Sequence, residues 1–297
     1  MLTRLSDAPV NGVAMGSVSL LRLDRTGGLA PGNKSYKLAG NLARAKRLGV
    51  NRLVSFGGAW SNHLHALAAV GAERGIATVG IVRGDEDAAE SAMLADARRW
   101  GMQIVRVSRT EYRRRFDDGY LAQLRQRFAP CLLVPEGGAN SDGARGCKQI
   151  AALIRAEAPG SRQLVVPVGT GTTLAGLVAG LGSQYHITGV AALKGANDLE
   201  QRVGQALDAL GGASAARWQI LHDHHCGGFA RVSAELREFI LAFERVQGVE
   251  LEPVYTGKML YAIWQRLRCG ELSKSSPLLA IHTGGLQGRR GYPWLMS

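Results

Sequence analysis

Two lysines three residues apart, Lys34 and Lys37 in PGNKSYKLAGN, follow a Gly-Asn turn and open a segment of helical period. At i and i+3 their amines fall on nearly one helical face. Taken alone, the pair reads as two solvated charges. Enclosed in a Gly-lined cleft, each cation lowers the proton affinity of the other, and a lysine deprotonated in this way can form a Schiff base with an aldehyde. Further along, VPVGTGTTLAG joins an apolar run to a small-residue helix through Gly169, Thr170, Gly171, Thr172 and Thr173. Backbone N–H groups at such a helix N-terminus, joined by threonine hydroxyls, bind phosphate. Leu174 stands where the dinucleotide fingerprint needs its third glycine, and the Gly-Lys-Ser/Thr of a P-loop is absent. The loop therefore suits one small phosphate better than a nucleotide; a Gly-rich turn with no ligand is the alternative.

FGGAWSNH repeats the design. Two glycines free the turn, Ser61 can cap the following helix, and Ser61 and Asn62 can project into a cleft. The G-x-S-x-G elbow of a serine hydrolase is missing. A phosphate cup, a lysine and a Gly-rich loop beside a flat ring together point to pyridoxal phosphate.

These residues need a scaffold that brings distant loops together. From Val54 onward, apolar runs of strand length alternate with helix-period segments, each junction marked by Gly, Pro or a capping residue. The alternation predicts an α/β fold with open, mostly parallel sheets and helices on both faces, because parallel strands need crossover connections. Such sheets bind ligands at the carboxyl ends of their strands. FGGAWSN, PEGGANS, VGTGTT and HTGG all fall there, so four Gly-bearing loops are expected to converge on one cleft. Between MQIVRV and CLLVPE the pattern predicts one long basic helix ending at Phe128.

With 297 residues, 46% of them hydrophobic, the chain sits near the size at which one core divides into two lobes. The net charge of +12 raises a nucleic-acid or membrane reading. The basic residues are scattered over helical segments apart from Arg109, Arg113, Arg114 and Arg115, so a solvated surface is the expectation. Cys131, Cys147, Cys226 and Cys269 lack C-x-x-C spacing, no signal-peptide h-region opens the chain, and no apolar run approaches ~20 residues. Free thiols, a cytoplasmic location and no membrane partner follow as expectations. HDHHC, from His222 to Cys226, crowds its side chains without zinc-site spacing and reads as a loop, so no metal site is expected.

GNKSYKL, VSFGGAWSNH, PEGGANSDGARG, GTGTTLAG, EPVYTGKM and IHTGGL, taken in order, resemble the fold type II pyridoxal-phosphate enzymes of the 1-aminocyclopropane-1-carboxylate deaminase and D-cysteine desulfhydrase family, from about Leu20 to Gly291. The resemblance implies a tryptophan synthase β-like architecture, with a large cofactor domain of residues 1–43 and 147–297 and a small α/β domain of residues 44–146. It implies that Lys34 holds the cofactor covalently, Lys37 sits near its phosphate, and Gly169 through Thr173 form the phosphate loop. Asn62 would flank the ring oxygen, Ser61 the substrate carboxylate, and Tyr255 would lie over the substrate. Thr256 and Thr283 match the two positions near the pyridine nitrogen and look like the desulfhydrase side, where deaminases resemble PVYEGK with HLGG. A neutral hydroxyl cannot hold the ring nitrogen protonated as a carboxylate does. The implied activity is α,β-elimination from a small amino acid by a homodimer, with a deaminase or racemase as the alternative in the class and a basic nucleic-acid-binding α/β protein outside it. The chain departs from the family at its N-terminus, where LRLDR replaces a KRDD or KRED stretch, and at Phe229, where the deaminases have a second active-site tyrosine.

Overall fold

Buried, nearly continuous apolar strands are what a parallel sheet covered on both faces requires, and RLVSFGG and LLAIH satisfy it. In the computed structural model, which describes residues 1–85, 87–212 and 216–296, strands and helices alternate through most of the chain. The first strands are β1 (Leu2–Arg4) and β2 (Val18–Arg22), followed by helix α1 (Asn33–Arg47). Next come β3 (Arg52–Gly58), α2 (Asn62–Arg74), β4 (Ala77–Arg83), α3 (Ala92–Arg99), β5 (Gln103–Val107), α4 (Arg109–Arg113), α5 (Asp118–Arg127) and β6 (Leu132–Val134). The chain continues with α6 (Ser141–Glu157), β7 (Gln163–Val168), α7 (Thr172–Gly180), β8 (His186–Ala191), α8 (Leu199–Asp208) and β9 (Arg217–Leu221). It closes with α9 (Ala234–Gln247), α10 (Thr256–Arg268) and β10 (Leu278–His282).

Two sheets result. One has the order β1-β2-β10-β7-β8-β9 and is parallel except for β1; the other, β5-β4-β3-β6, is wholly parallel. Alternate residues of each strand feed opposite cores. In β10, Ala280 packs toward Phe239, Met259 and Ile263 of α9 and α10, while Leu279 and Ile281 pack toward Ile150, Leu174 and Val203 of α6, α7 and α8. The smaller sheet is covered likewise, by Leu64, Leu67 and Met93 on one face and by Tyr112, Tyr120 and Phe128 on the other.

Helices α1 and α6 cross closely at Gly40 and Gly146. A side chain on Gly40 would overlap the Asp142 carbonyl, and one on Gly146 the Tyr36 carbonyl. Asn41 and Asn140 exchange hydrogen bonds across the same contact. The boundaries expected at 43/44 and 146/147 fall inside these two helices.

The long basic helix is interrupted. Asp117 takes extended geometry and its carboxylate accepts from Tyr120 N at 2.8 Å, so the segment divides into α4, a 3-10 turn and α5. The chain's own capping residue overrides the helical period. Arg109, Arg113 and Arg114 are exposed as expected, but Arg115 is half-buried. Among the described residues, no helix is long and apolar enough to cross a membrane.

Candidate active site

The site is assembled at the start of α1. Gly32, at φ 133°, bridges to Gly284, and Asn33 N donates to Thr283 O at 3.0 Å, so the HTGG loop after β10 holds the helix entry. Asn33 Nδ2 donates to Thr173 Oγ1 at 2.9 Å, while its Oδ1 accepts from Lys34 Nζ at 2.9 Å. Lys34 Nζ lies 5.8 Å from the centre of the Tyr255 ring. One turn on, Lys37 Nζ donates to Gly137 O at 3.0 Å and to Thr170 Oγ1 at 3.2 Å, and Thr170 pairs with Thr172 at 2.8 Å. Gly171, the residue before α7, has φ 79°, and a Cβ there would stand 2.8 Å from Val203 Cγ2. Gly169 is tightly packed as well, since a Cβ would stand 3.0 Å from Tyr255 Cε1.

Among the described residues neither lysine has a carboxylate within ion-pairing distance. Burial lowers the proton affinity of both. For Lys37, burial and then the neighbouring Lys34 bring the pKa to about 7. Unpaired buried cations are costly, so the enclosure is built for an anion.

Ser61 caps α2, its Oγ accepting from Leu64 N at 3.2 Å, which leaves its own O–H free to donate. Asn62 Oδ1 accepts from Gln287 Nε2 at 2.5 Å. His63 Nε2 pairs with Ser55 Oγ at 2.9 Å, its Nδ1 is enclosed without a partner, and burial holds its pKa down to about 3. A cavity of about 140 Å³ opens beside these groups, bordered by Asp24, Lys34, Asn62, His65, Tyr255 and Thr283.

Thr256 is fully buried and does not border that cavity. Its hydroxyl lies 3.4 Å from Glu252 Oε1 and 3.0 Å from Glu252 N. The Glu252 carboxylate accepts the N–H groups of Val254, Tyr255 and Thr256, which fixes the entry to α10. Burial raises the Glu252 pKa against these bonds. Phe229 stands edge-on to Tyr255 at 6.3 Å.

Three groups at the site have no local signal in the sequence. Asp24 pairs with His282 at 3.0 Å and with Arg22 at 2.5 Å, below the HTGG loop. Burial works to raise the Asp24 pKa, and the bonds from His282 and Arg22 overcome it, leaving the carboxyl far below its usual range. Asp96 receives His65, Arg99 and Arg290. Glu136 receives Tyr112 Oη and Arg115 Nε, both at 2.8 Å, so the basic segment reaches the loop whose Gly137 carbonyl accepts Lys37. Arg22 with Asp24 and Arg99 with Asp96 lie close in sequence, two and three residues apart; every other partner is 21 or more residues away, and Arg290 is 194 residues from Asp96.

The HDHHC side chains are engaged singly, His222 with Glu200, His224 with Gln265 and His225 with Gly227 N. Among the described residues no group of three or more His, Cys, Asp or Glu is placed to hold a metal ion.

A family model described as pyridoxal-phosphate dependent enzyme matches residues 20–284. The chain belongs to this family. A D-cysteine desulfhydrase of Yersinia enterocolitica is 30% identical over 274 residues, 86% of this chain and 82% of that protein. A provisionally named 1-aminocyclopropane-1-carboxylate deaminase of Thermotoga maritima is 28% identical over 284 residues, 92% of this chain and 89% of that protein. Among solved structures, an ACC deaminase homologue superposes with a TM-score of 0.83 at 25% identity, over 96% of this chain and 89% of that one. The protein is thus a pyridoxal-phosphate-dependent enzyme, and its residues fit the cofactor. A phosphate matches the Lys37 amine and the N–H groups at the start of α7, and an aldehyde matches the amine of Lys34.

Proposed function

We propose that this pyridoxal-phosphate-dependent enzyme is a lyase that carries out α,β-elimination on a small amino acid, in the manner of a D-cysteine desulfhydrase. The observation that carries the reading is the Lys34 amine, which borders the cavity beneath Tyr255 with no carboxylate partner among the described residues. When bound, the cofactor supplies an aldehyde and an electron sink for the carbon that loses a proton.

The chain's own residues do the rest. Lys34 would hold the cofactor's aldehyde and would serve as the base for the α-proton, a role that the lowered proton affinity of its amine suits. Lys37, Gly169, Thr170, Gly171, Thr172 and Thr173 hold the phosphate. Asn62 orients the ring, Ser61 donates its free O–H to the substrate carboxylate, and Tyr255 covers the substrate and passes a proton to or from it. Thr283, on the cavity rim, would offer the ring nitrogen a hydroxyl, and Thr256, at the second family position, stands behind the rim against Glu252. D-cysteine and water would yield pyruvate, ammonia and hydrogen sulfide.

The second reading, deamination of 1-aminocyclopropane-1-carboxylate, is favoured by the TM-score of 0.83 to the deaminase homologue. Ring opening expels no good leaving group and needs the stronger electron sink, so Thr256 weighs against it. The two-domain division and a homodimer rest on the family resemblance, and a cytoplasmic location on the cysteine spacing and apolar pattern of the sequence. A screen of D- and L-amino acids for keto-acid release, run beside Lys34→Ala, tests the proposal. Release of pyruvate and sulfide from D-cysteine or chloride from β-chloro-D-alanine is expected; faster turnover of the cyclopropane would reverse the assignment.

A further inference from the structure

His65, three residues after Asn62 on α2, borders the cavity yet has no role in the chemistry above. Its Nε2 lies 3.1 Å from Asp96 Oδ2, and Asp96 does not border the cavity. Arg99 and Arg290 pair with the same carboxylate at 2.7 and 2.5 Å, which keeps it charged. A carboxylate only accepts, so the proton of the imidazole must be on Nε2 and Nδ1 is left as a bare acceptor. Burial lowers the proton affinity of His65, and with the two arginines it outweighs the pull of Asp96. Among the described residues Nδ1 has no partner, it is not one of the sealed, orphaned atoms, and the residue, 7% exposed, borders the cavity.

Gln287 stands on the same rim with its amide already engaged, Nε2 donating to Asn62 Oδ1 and Trp60 O. Leu29, Ala30 and Leu286 add apolar lining to the cavity.

We propose that His65 determines specificity by selecting amino acids whose side chain ends in a hydrogen-bond donor, a thiol or hydroxyl, over isosteric apolar or acidic ones. Asp96 and Arg290 are positioning residues for the imidazole. An apolar side chain leaves Nδ1 unpaired in a buried site, and a carboxylate sets lone pairs against lone pairs; a discrimination of about tenfold follows. The inference rests on the reading that an amino acid binds at Lys34.

The test titrates holoenzyme with each enantiomer of serine, of 2-aminobutyrate, which replaces the hydroxyl by methyl, and of aspartate, following the cofactor's absorption to obtain dissociation constants. For the accepted enantiomer, serine is expected to bind about tenfold tighter than 2-aminobutyrate, and His65→Leu to erase the difference while still responding to 2-aminobutyrate. A preference unchanged in His65→Leu, or a wild type favouring aspartate or 2-aminobutyrate, overturns the proposal alone. A holoenzyme that responds to no amino acid overturns the reading of the whole site. Nitrogen-15 NMR of labelled histidine provides a second measure that needs no variant: Nδ1 of His65 is expected to be unprotonated at neutral pH, and a proton there overturns the proposal even if His65→Leu fails to fold.

Discussion

Single residues set the chemistry, and the two lysines divide it. Lys34→Ala is expected to abolish the borohydride-trapped cofactor and to lower turnover by about 10²–10⁴. Lys37→Ala should keep the covalent link and weaken cofactor retention by about tenfold to a hundredfold, because one charge-assisted contact is lost. Loss of the link in the Lys37 variant would show that the wrong lysine has been assigned. The Lys37 pKa of about 7 also has a sign. An anion in the cup favours the protonated amine, so binding takes up a proton and should weaken as pH rises above 7, where phosphate is already mostly dianionic. Inorganic phosphate titrated into apoenzyme between pH 7 and 9 checks this, and Lys37→Ala should flatten the profile. At Thr256 the buried Glu252 carboxyl changes what a swap can do. Thr256→Glu alone would set two carboxyls within contact distance in a sealed site. It should lower thermal stability, and only in combination with Glu252→Gln and Thr283→Leu should it raise activity on the cyclopropane.

At the scale of elements, what was legible in the sequence and what was not divide by range. The loops FGGAWSN and VGTGTT were readable because cap, turn and phosphate cup are each contained in a few consecutive residues. β9 escaped because RWQIL is a short, half-exposed edge strand without the continuous apolar run of the central strands. The joining of Gln287 to Asn62, across 225 residues, and of Arg290 to Asp96 depends on topology, which local spacing does not encode. The broken basic helix shows the reverse case, a local signal outranked by another local signal. Asp117→Ala is expected to cost about 1 kcal/mol. The corresponding fall in melting temperature would be about 2–4 °C. An unchanged melting temperature would mean that the break has another cause.

For the whole molecule, acid stability should be controlled by carboxylates held in pairs. Asp24 and Asp96 both have folded pKa values below their ordinary ones. Their contribution is present above the unfolded value of about 4 and is lost as pH falls below it. Melting temperature against pH should therefore drop through this window, and Asp24→Asn should lower the neutral plateau while flattening the acid limb. A variant curve merely parallel to the wild type would remove Asp24 from the account.

The last strand of the chain lies in the middle of the larger sheet, between β2 and β7. In the order of synthesis this has a direct result. Until residue 282 has been made, β2 can pair only with β1, and until Thr283 is in place the amide of Asn33, beside the cofactor lysine, has nothing to bond. A pocket whose first wall is translated early and whose closing wall is translated much later cannot load its cofactor before β10 has been made, however soon the phosphate loop folds. Nascent chains arrested before β10 should retain no cofactor and stay protease-sensitive over residues 18–47, and extension past Thr283 should change both together.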